Sequence, residues 1–393
     1  MKKLKIALIA PAALPIPNIQ GGAIETLSTH LLNKNEEYKL IHFDVYSTFN
    51  LEAQKIVSSY KESSFIFYNY KKKDFIRNII SSILFHLSLK RITLTRAFTK
   101  FVKKQIKKKN DYDYLLIEGN SYQTFQLKDL GIPIIYHLHT DIVNKSEPNS
   151  IKIYNASDVI FVISDFLKRQ IKLSVGDDSK VKILKNAIDL SKFQAISENN
   201  YQLKASLGIP RENKVMIFCG RVVPIKGVLE AVKAFKIANI LNLTFVIVGG
   251  SNFEDSKESI YETEIKEFVK TNDINVIFTG YIKQEDLPAY YAMADFSICP
   301  SICNEAAGLV IIEALASGLP VITSNMGGIP EYAHFPNCII VENDNNYIHN
   351  LSCSITKMYN SIDRLKKNKL NLSEFSLDNY YQNFINSICV MHE

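Results

Sequence analysis

Glu305 and Glu313 flank a glycine, Gly308, in the run Ser301-Ile302-Cys303-Asn304-Glu305-Ala306-Ala307-Gly308-Leu309-Val310-Ile311-Ile312-Glu313-Ala314-Leu315-Ala316-Ser317-Gly318. A helix that begins near Gly308 presents unsatisfied backbone N–H groups and the positive end of its dipole, with one acid before it and one in its second turn. Amides and dipole suit phosphate, and a carboxylate accepts from the vicinal hydroxyls of a ribose or hexose. The chemistry fits a ligand rich in both groups. The plainer reading is an amphipathic helix with two solvated glutamates, and the spacing alone does not separate the two.

Three further sets of residues carry chemistry. Gly220-Arg221-Val222-Val223-Pro224-Ile225-Lys226-Gly227 follows an apolar strand and frames two cations between glycines. From a loop of that length Arg221 and Lys226 can converge on a diphosphate and stabilise the charge that develops as a glycosyl–phosphate bond breaks. The alternative is a surface pair. Gly21-Gly22, between a strand and a helix start, allows a phosphate close to the backbone amides. It carries neither the Gly-x-Gly-x-x-Gly of a dinucleotide fingerprint nor a P-loop lysine. His137 and His139 fall on one face of a strand, and His139 stands at its carboxyl end, where open parallel sheets place ligands. A structural histidine satisfied within the fold is the competing reading.

The elements that must hold these residues alternate strand and helix twice. Strands are expected at 4–10, 40–46, 65–68, 114–117, 132–138 and 159–163, then at 215–219, 244–250, 276–282, 296–299 and 321–324. A chain of 393 residues with 47% hydrophobic and 22% charged residues is a soluble globular composition long enough for two domains. The expected division is 1–188 and 189–376, with a last helix-like run from about 378. The fold expected is α/β, two facing Rossmann-like domains with parallel sheets and a cleft between them.

The six cysteines form no Cys-x-x-Cys pair and read as reduced, buried thiols of a cytosolic protein. The apolar run after Met1-Lys2-Lys3 is short and followed by Pro11, Pro15 and Pro17, so it reads as a first buried strand and not as a signal peptide. No apolar stretch reaches the roughly 18 residues needed to cross a bilayer. Residues 71–109 hold thirteen Lys or Arg against one acid, Asp74, so this segment carries +12 while the chain as a whole carries +6. Ile76 to Leu87 and Leu94 to Ile106 recur there at helical spacing. Ordinary helices with a solvated basic face and a patch drawn to anionic membrane both fit; nucleic acid is not implied, since no recognised module accompanies the charge.

The Glu305-x7-Glu313 pattern resembles the signature of the retaining glycosyltransferases of family 4, which adopt the GT-B fold. The resemblance extends to Gly318-Leu319-Pro320-Val321-Ile322-Thr323-Ser324, to Gly327-Gly328-Ile329-Pro330-Glu331, to Gly220-Arg221 followed by Lys226-Gly227, to Gly21-Gly22, and to Asn186-Ala187-Ile188-Asp189, where the family usually has glycine at the position of Ala187. It implies transfer of a hexose, with retention, from a nucleotide-diphosphate sugar to a carbohydrate, lipid-linked acceptor in surface polysaccharide assembly, and the return of a last helix, 377–393, to the first domain. Implied roles are Glu313 on the ribose, and Glu305 on the donor sugar beside the amides of Ala306, Ala307, Gly308 and Leu309. Arg221 and Lys226 are assigned to the diphosphate, Gly21 and Gly22 to the phosphate cradle, His139 to the transferred sugar, and Tyr281 and Ile282 to the base. Asp111-Tyr112-Asp113 mimics the metal motif of the other major glycosyltransferase fold, but it precedes its strand. It reads as a turn, so no metal and no cofactor beyond the donor is expected. The expected location is the cytoplasm, at the inner face of the plasma membrane if the basic segment binds there. A nucleotide-sugar 2-epimerase of the same fold, or a non-catalytic scaffold, are the rival functions.

Overall fold

The computed structural model describes residues 3–70, 94–194, 201–251, 258–366 and 369–389. The chain divides into two compact units, Met1–Asn186 with Leu377–Glu393, and Ala187–Ser376.

The first unit is built on seven strands, β1 (Leu4–Ile9), β2 (Ile41–Thr48), β3 (Ser63–Tyr68), β4 (Tyr114–Glu118), β5 (Ile134–Leu138), β6 (Val159–Val162) and β7 (Val181–Ile183), in the order β3-β2-β1-β4-β5-β6-β7. All pairs are parallel. Covered on both faces by crossover helices, the central strands are near-continuous apolar runs, and Ile6 to Ala10 and Leu115 to Ile117 have no exposed surface. The strand order reverses between β1 and β4, so the loops leaving those two strands diverge and open a crevice at their carboxyl ends.

The helix Leu377–Cys389 packs into this unit. Tyr381 stacks on Tyr38 at 5.0 Å and donates to Asn35 Oδ1 at 2.7 Å, while Asp378 pairs with Lys34 at 2.9 Å. The helix Leu94–Lys109 buries Phe98, Val102 and Ile106 and leaves Arg96, Lys100, Lys104, Lys107 and Lys108 exposed. Lys103 is engaged by Asp129 and the Gln126 carbonyl, and Lys109 by Asp44. The rest of the basic segment, 71–93, lies outside the described residues. Asp111 and Asp113 sit at the amino end of β4, where Asp113 accepts the Lys5 amide at 2.7 Å and Asp111 pairs with the Lys5 ammonium.

The second unit carries β8 (Lys214–Cys219), β9 (Leu243–Val248), β10 (Val276–Gly280), β11 (Phe296–Cys299), β12 (Val321–Ser324) and β13 (Cys338–Val341), again parallel, in the order β10-β9-β8-β11-β12-β13. Its reversal lies between β8 and β11, the strands that feed Gly220–Gly227 and Ser301–Gly308. Two apolar clusters cover the faces of this sheet, one around Ile217, Ile312 and Tyr332, the other around Phe218, Phe245 and Leu351. Ala187 has none of the positive φ that would require glycine there.

The cysteines depart from expectation. All six are free, but only Cys219 and Cys299 are buried, while Cys303, Cys353 and Cys389 are exposed. The two buried ones end the apolar strands β8 and β11; the exposed ones lie in a loop or on helix surfaces, where no core claims them.

Candidate functional site

In the second unit a cavity of about 190 Å³ opens at the β8–β11 reversal, lined among others by Gly220, Arg221, Lys226, Ser301, Glu305 and Gly308. The Lys226 ammonium lies 2.7 Å from Glu305 Oε2, and the Ser301 hydroxyl donates to Glu305 Oε1. Both oxygens of Glu305 are thus held. Arg221 is exposed at this cavity and, among the described residues, has no ion-pair partner. With Lys226 paired to Glu305, Arg221 brings a further cation to the cavity, and a diphosphate is a ligand of matching charge.

Backbone geometry keeps these pieces close. Gly227 has φ +66°, and a Cβ there would meet the Pro300 carbonyl oxygen at 2.0 Å, so only glycine lets the loop after β8 lie against the strand end of β11. The Gly328 amide donates to the Glu305 carbonyl at 2.7 Å, which ties the acidic loop to the Gly327-Gly328 turn. The helix Leu309–Ala316 starts at Gly308 with no side-chain cap, so its first amides carry no side-chain acceptor.

Glu313 does not line this cavity. It is buried, and its Oε2 accepts the hydroxyl of Tyr291, itself fully buried, at 3.0 Å. Burial pushes its carboxyl up to about 6 against the opposing effect of that hydrogen bond. Ala307 and Leu309 pack on the apolar cluster, and Ala306 is half-buried in the loop. Tyr281 and Ile282 follow β10, an edge strand separated from β8 by β9; Tyr281 is exposed and Ile282 rests on the apolar cluster. The structure does not bring either of them to the cavity wall.

In the first unit the corresponding crevice holds Gly21, Gly22 and His139 with two residues that the sequence reading omits. A Cβ on Gly22, at φ +99°, would lie 2.3 Å from Glu25 Oε2, so the Glu25 carboxylate covers the glycine from the first turn of the helix Ala23–Tyr38. Burial holds the Glu25 carboxyl above its ordinary range, and the charge of Glu118 adds to the rise. Glu118, the last residue of β4, lies in register with His137 of β5. Its Oε2 is 2.8 Å from His139 Nε2 and 3.1 Å from His137 Nδ1. Burial alone would raise the Glu118 carboxyl, but the charge of His137 and hydrogen bonds from both imidazoles bring it down to about 2. Burial and the neighbouring His137 lower His139 to about 4, against the pull of Glu118. These three are a group whose ligand atoms lie within 4.8 Å of one another, a donor set that could hold a metal ion. In the structure both imidazoles engage the Glu118 carboxylate.

Two parallel Rossmann-like units, each with charged and glycine residues at the strand-order reversal, define an α/β protein of the GT-B class. Residues 57–192 match the model of Glycosyltransferase Family 4 and residues 199–371 that of glycosyl transferases group 1. The chain belongs to the family 4 glycosyltransferases. Among curated relatives, spore coat protein SA of Bacillus subtilis is 25% identical over 88% of this chain and 85% of its own length. The lipopolysaccharide 1,2-N-acetylglucosaminetransferase of Salmonella typhimurium is 26% identical over 56% of this chain and 57% of its own. Among solved structures, Anabaena HepE in complex with UDP and glucose superposes with a TM-score of 0.72 at 16% identity, covering 98% of this chain and 99% of that one. At that identity the likeness speaks for the fold. No helix among the described residues is long and apolar enough to cross a membrane.

Proposed function

We propose that this glycosyltransferase moves a hexose, with retention of configuration, from a nucleoside-diphosphate sugar to a carbohydrate acceptor carried on a lipid, during assembly of a surface polysaccharide. The observation that carries the donor half is the Lys226–Glu305 pair, with Arg221 beside it, at the β8–β11 reversal. Arg221 and Lys226 take the diphosphate and stabilise it as it leaves, with no divalent cation required. Glu305, released in part from Lys226, accepts from the donor sugar hydroxyls beside the amides of Ala306 to Leu309. Glu313, its Oε2 held by Tyr291, offers its other oxygen to the ribose. Tyr281 and Ile282 would meet the base, and Gly21 and Gly22 the phosphates. His139 takes a hydroxyl of the reacting sugars.

The relatives support the setting. One is a lipopolysaccharide sugar transferase and another a putative teichuronic acid biosynthesis glycosyltransferase. The exposed lysines of the helix Leu94–Lys109 support attachment to an anionic membrane surface at the cytoplasmic face, at about 1 kcal/mol per basic residue. Thermal-shift screening against a panel of nucleotide sugars identifies the donor, and the anomeric configuration of the product, read by proton NMR, tests retention. Inversion, or isomerised donor with no acceptor present, would contradict the proposal. A chelator is expected to leave the rate unchanged. Replacing Lys100, Lys104, Lys107 and Lys108 by glutamine is expected to abolish sedimentation with phosphatidylserine vesicles; unchanged sedimentation would remove the membrane from the account.

A further inference from the structure

Glu118 is 1% exposed and sits between two imidazoles, one from the neighbouring strand and one from the residue just past that strand's end. Both rings reach its carboxylate, His139 Nε2 at 2.8 Å from Oε2 and His137 Nδ1 at 3.1 Å from Oε2 and 3.4 Å from Oε1, with ring centroids 3.9 Å apart. An ionised carboxylate is an acceptor only, so each of those nitrogens must carry its hydrogen. His139, which burial and its neighbour His137 lower to about 4, is neutral near pH 7 and is therefore held as the Nε2–H tautomer. What remains on each ring is its other nitrogen. On His137 it is Nε2, buried and with no hydrogen-bond partner among the described residues. On His139, 9% exposed and the least buried of the three, it is Nδ1.

That asymmetry has a chemical meaning. A histidine needed only for packing would gain nothing from a carboxylate that dictates its tautomer. We propose that Glu118 is a positioning residue, with His137 bracing its carboxylate, that holds His139 as the Nε2–H tautomer and so makes His139 Nδ1 a fixed hydrogen-bond acceptor for a sugar hydroxyl. The assignment rests on the transferase reading above only for the hydroxyl's origin; the tautomers follow from the trio itself. A carboxylate that orients a histidine in this way is worth roughly 10–100-fold where such support has been removed from ligating histidines.

The test uses the full chain with imidazole ¹⁵N labelling. Two downfield imidazole N–H signals are expected without any substrate, one Nδ1–H and one Nε2–H, assigned by their separate loss in His137→Gln and His139→Gln. In Glu118→Gln both signals are expected to move upfield, with kcat reduced by about 10–100-fold and KM for the nucleotide sugar changed by less than about threefold. A proton on Nδ1 of His139 in the wild-type chain would overturn the proposal, and so would Glu118→Gln with wild-type spectrum and kcat. Collapse of both signals on adding one equivalent of zinc, with tight stoichiometric binding, would make the trio a metal centre instead. If Glu118→Gln does not fold, the wild-type tautomers alone decide. A wild-type chain that transfers no sugar from any nucleotide donor would remove the proposed function and leave the tautomer result standing.

Discussion

Glu118 and Glu313 are both buried carboxylates close to a strand-order reversal of a parallel sheet, and their protons behave in opposite ways. Glu118 has two imidazole donors and stays ionised far below the ordinary range, whereas Glu313 has one tyrosine hydroxyl and is pushed up to about 6 by burial. Burial is the largest influence on both. What differs is the number and charge of donors that offset it, so partners and not depth decide whether a buried acid is an anion. Glu305 shows the third case: half-buried, it has both oxygens held, one by the Lys226 ammonium and one by the Ser301 hydroxyl.

The largest effect expected from disturbing this contrast is on catalysis in the second unit. Lys226→Ala and Glu305→Gln are each expected to lower kcat by about 10²–10³, the scale of losing one preorganised charge partner of a leaving group. Steady-state kinetics with the identified donor checks this, and activity within a few-fold of wild type would sever the pair from the chemistry. Next comes stability in the first unit: Glu118→Ala strands two buried imidazole donors and is expected to cost about 2–5 kcal/mol at pH 7. Glu313→Gln, which keeps an acceptor for Tyr291, should stay within about 1 kcal/mol of wild type. Denaturant unfolding of the two variants side by side would erase the contrast if their losses matched.

Gly227→Ala is expected to destabilise the second unit by about 1–3 kcal/mol, because it adds a left-handed residue with a Cβ aimed at the Pro300 carbonyl. Gly131→Ala, also at positive φ but with nothing within 4 Å of its Cβ, separates backbone strain from collision and should cost less.

The smallest effect is in pH dependence, where the two acids have opposite signs. Glu118, depressed from 4.5 to about 2, gives stability present at neutral pH and lost as pH falls from about 4.5 toward 2. His139, depressed from 6.5 to about 4, binds protons more readily unfolded, so stability is also lost as pH falls between those values. Glu313, raised from 4.5 to about 6, holds its proton in the folded chain, so its contribution is present below about 4.5 and lost as pH rises through 6. Melting curves between pH 4 and 7 should therefore steepen with pH in Glu313→Gln, which removes the opposing group. A shallower profile would reverse its assigned sign.

Much of this arrangement is legible in the sequence where chemistry is contiguous. Gly220–Gly227 and Ser301–Gly308 are single stretches that follow apolar strands, and the cations, acid and glycines of the cavity can be read from them directly. Glu313 is different: it lies in the second turn of the helix that follows Glu305, but its carboxylate is engaged by Tyr291 of the helix Leu287–Ala292, a partner no spacing reveals. Glu118 lies between these cases. Ending its strand at Ile117 leaves the acid out, although the rule that points to His139, polar residues at the carboxyl end of a buried strand, applies equally one residue further on. Glu25 carries a signal of its own as an acid in the first turn after Gly21-Gly22, where helix dipole and an anion site compete for the same space. Strand order itself is a tertiary outcome that periodicity cannot give; the alternation fixes parallel sheets, and the placing of the reversals at β1–β4 and β8–β11 comes from the structure.

The central claim, that the donor diphosphate is held by the second unit's Arg221 and Lys226, is tested most directly by calorimetric titration of the full chain with UDP, ADP and GDP in turn. The account predicts that the nucleotide which binds will bind at least about tenfold more weakly to Lys226→Ala and with unchanged affinity to Glu118→Gln. Wild-type affinity in Lys226→Ala, or an equal loss in Glu118→Gln, would contradict it.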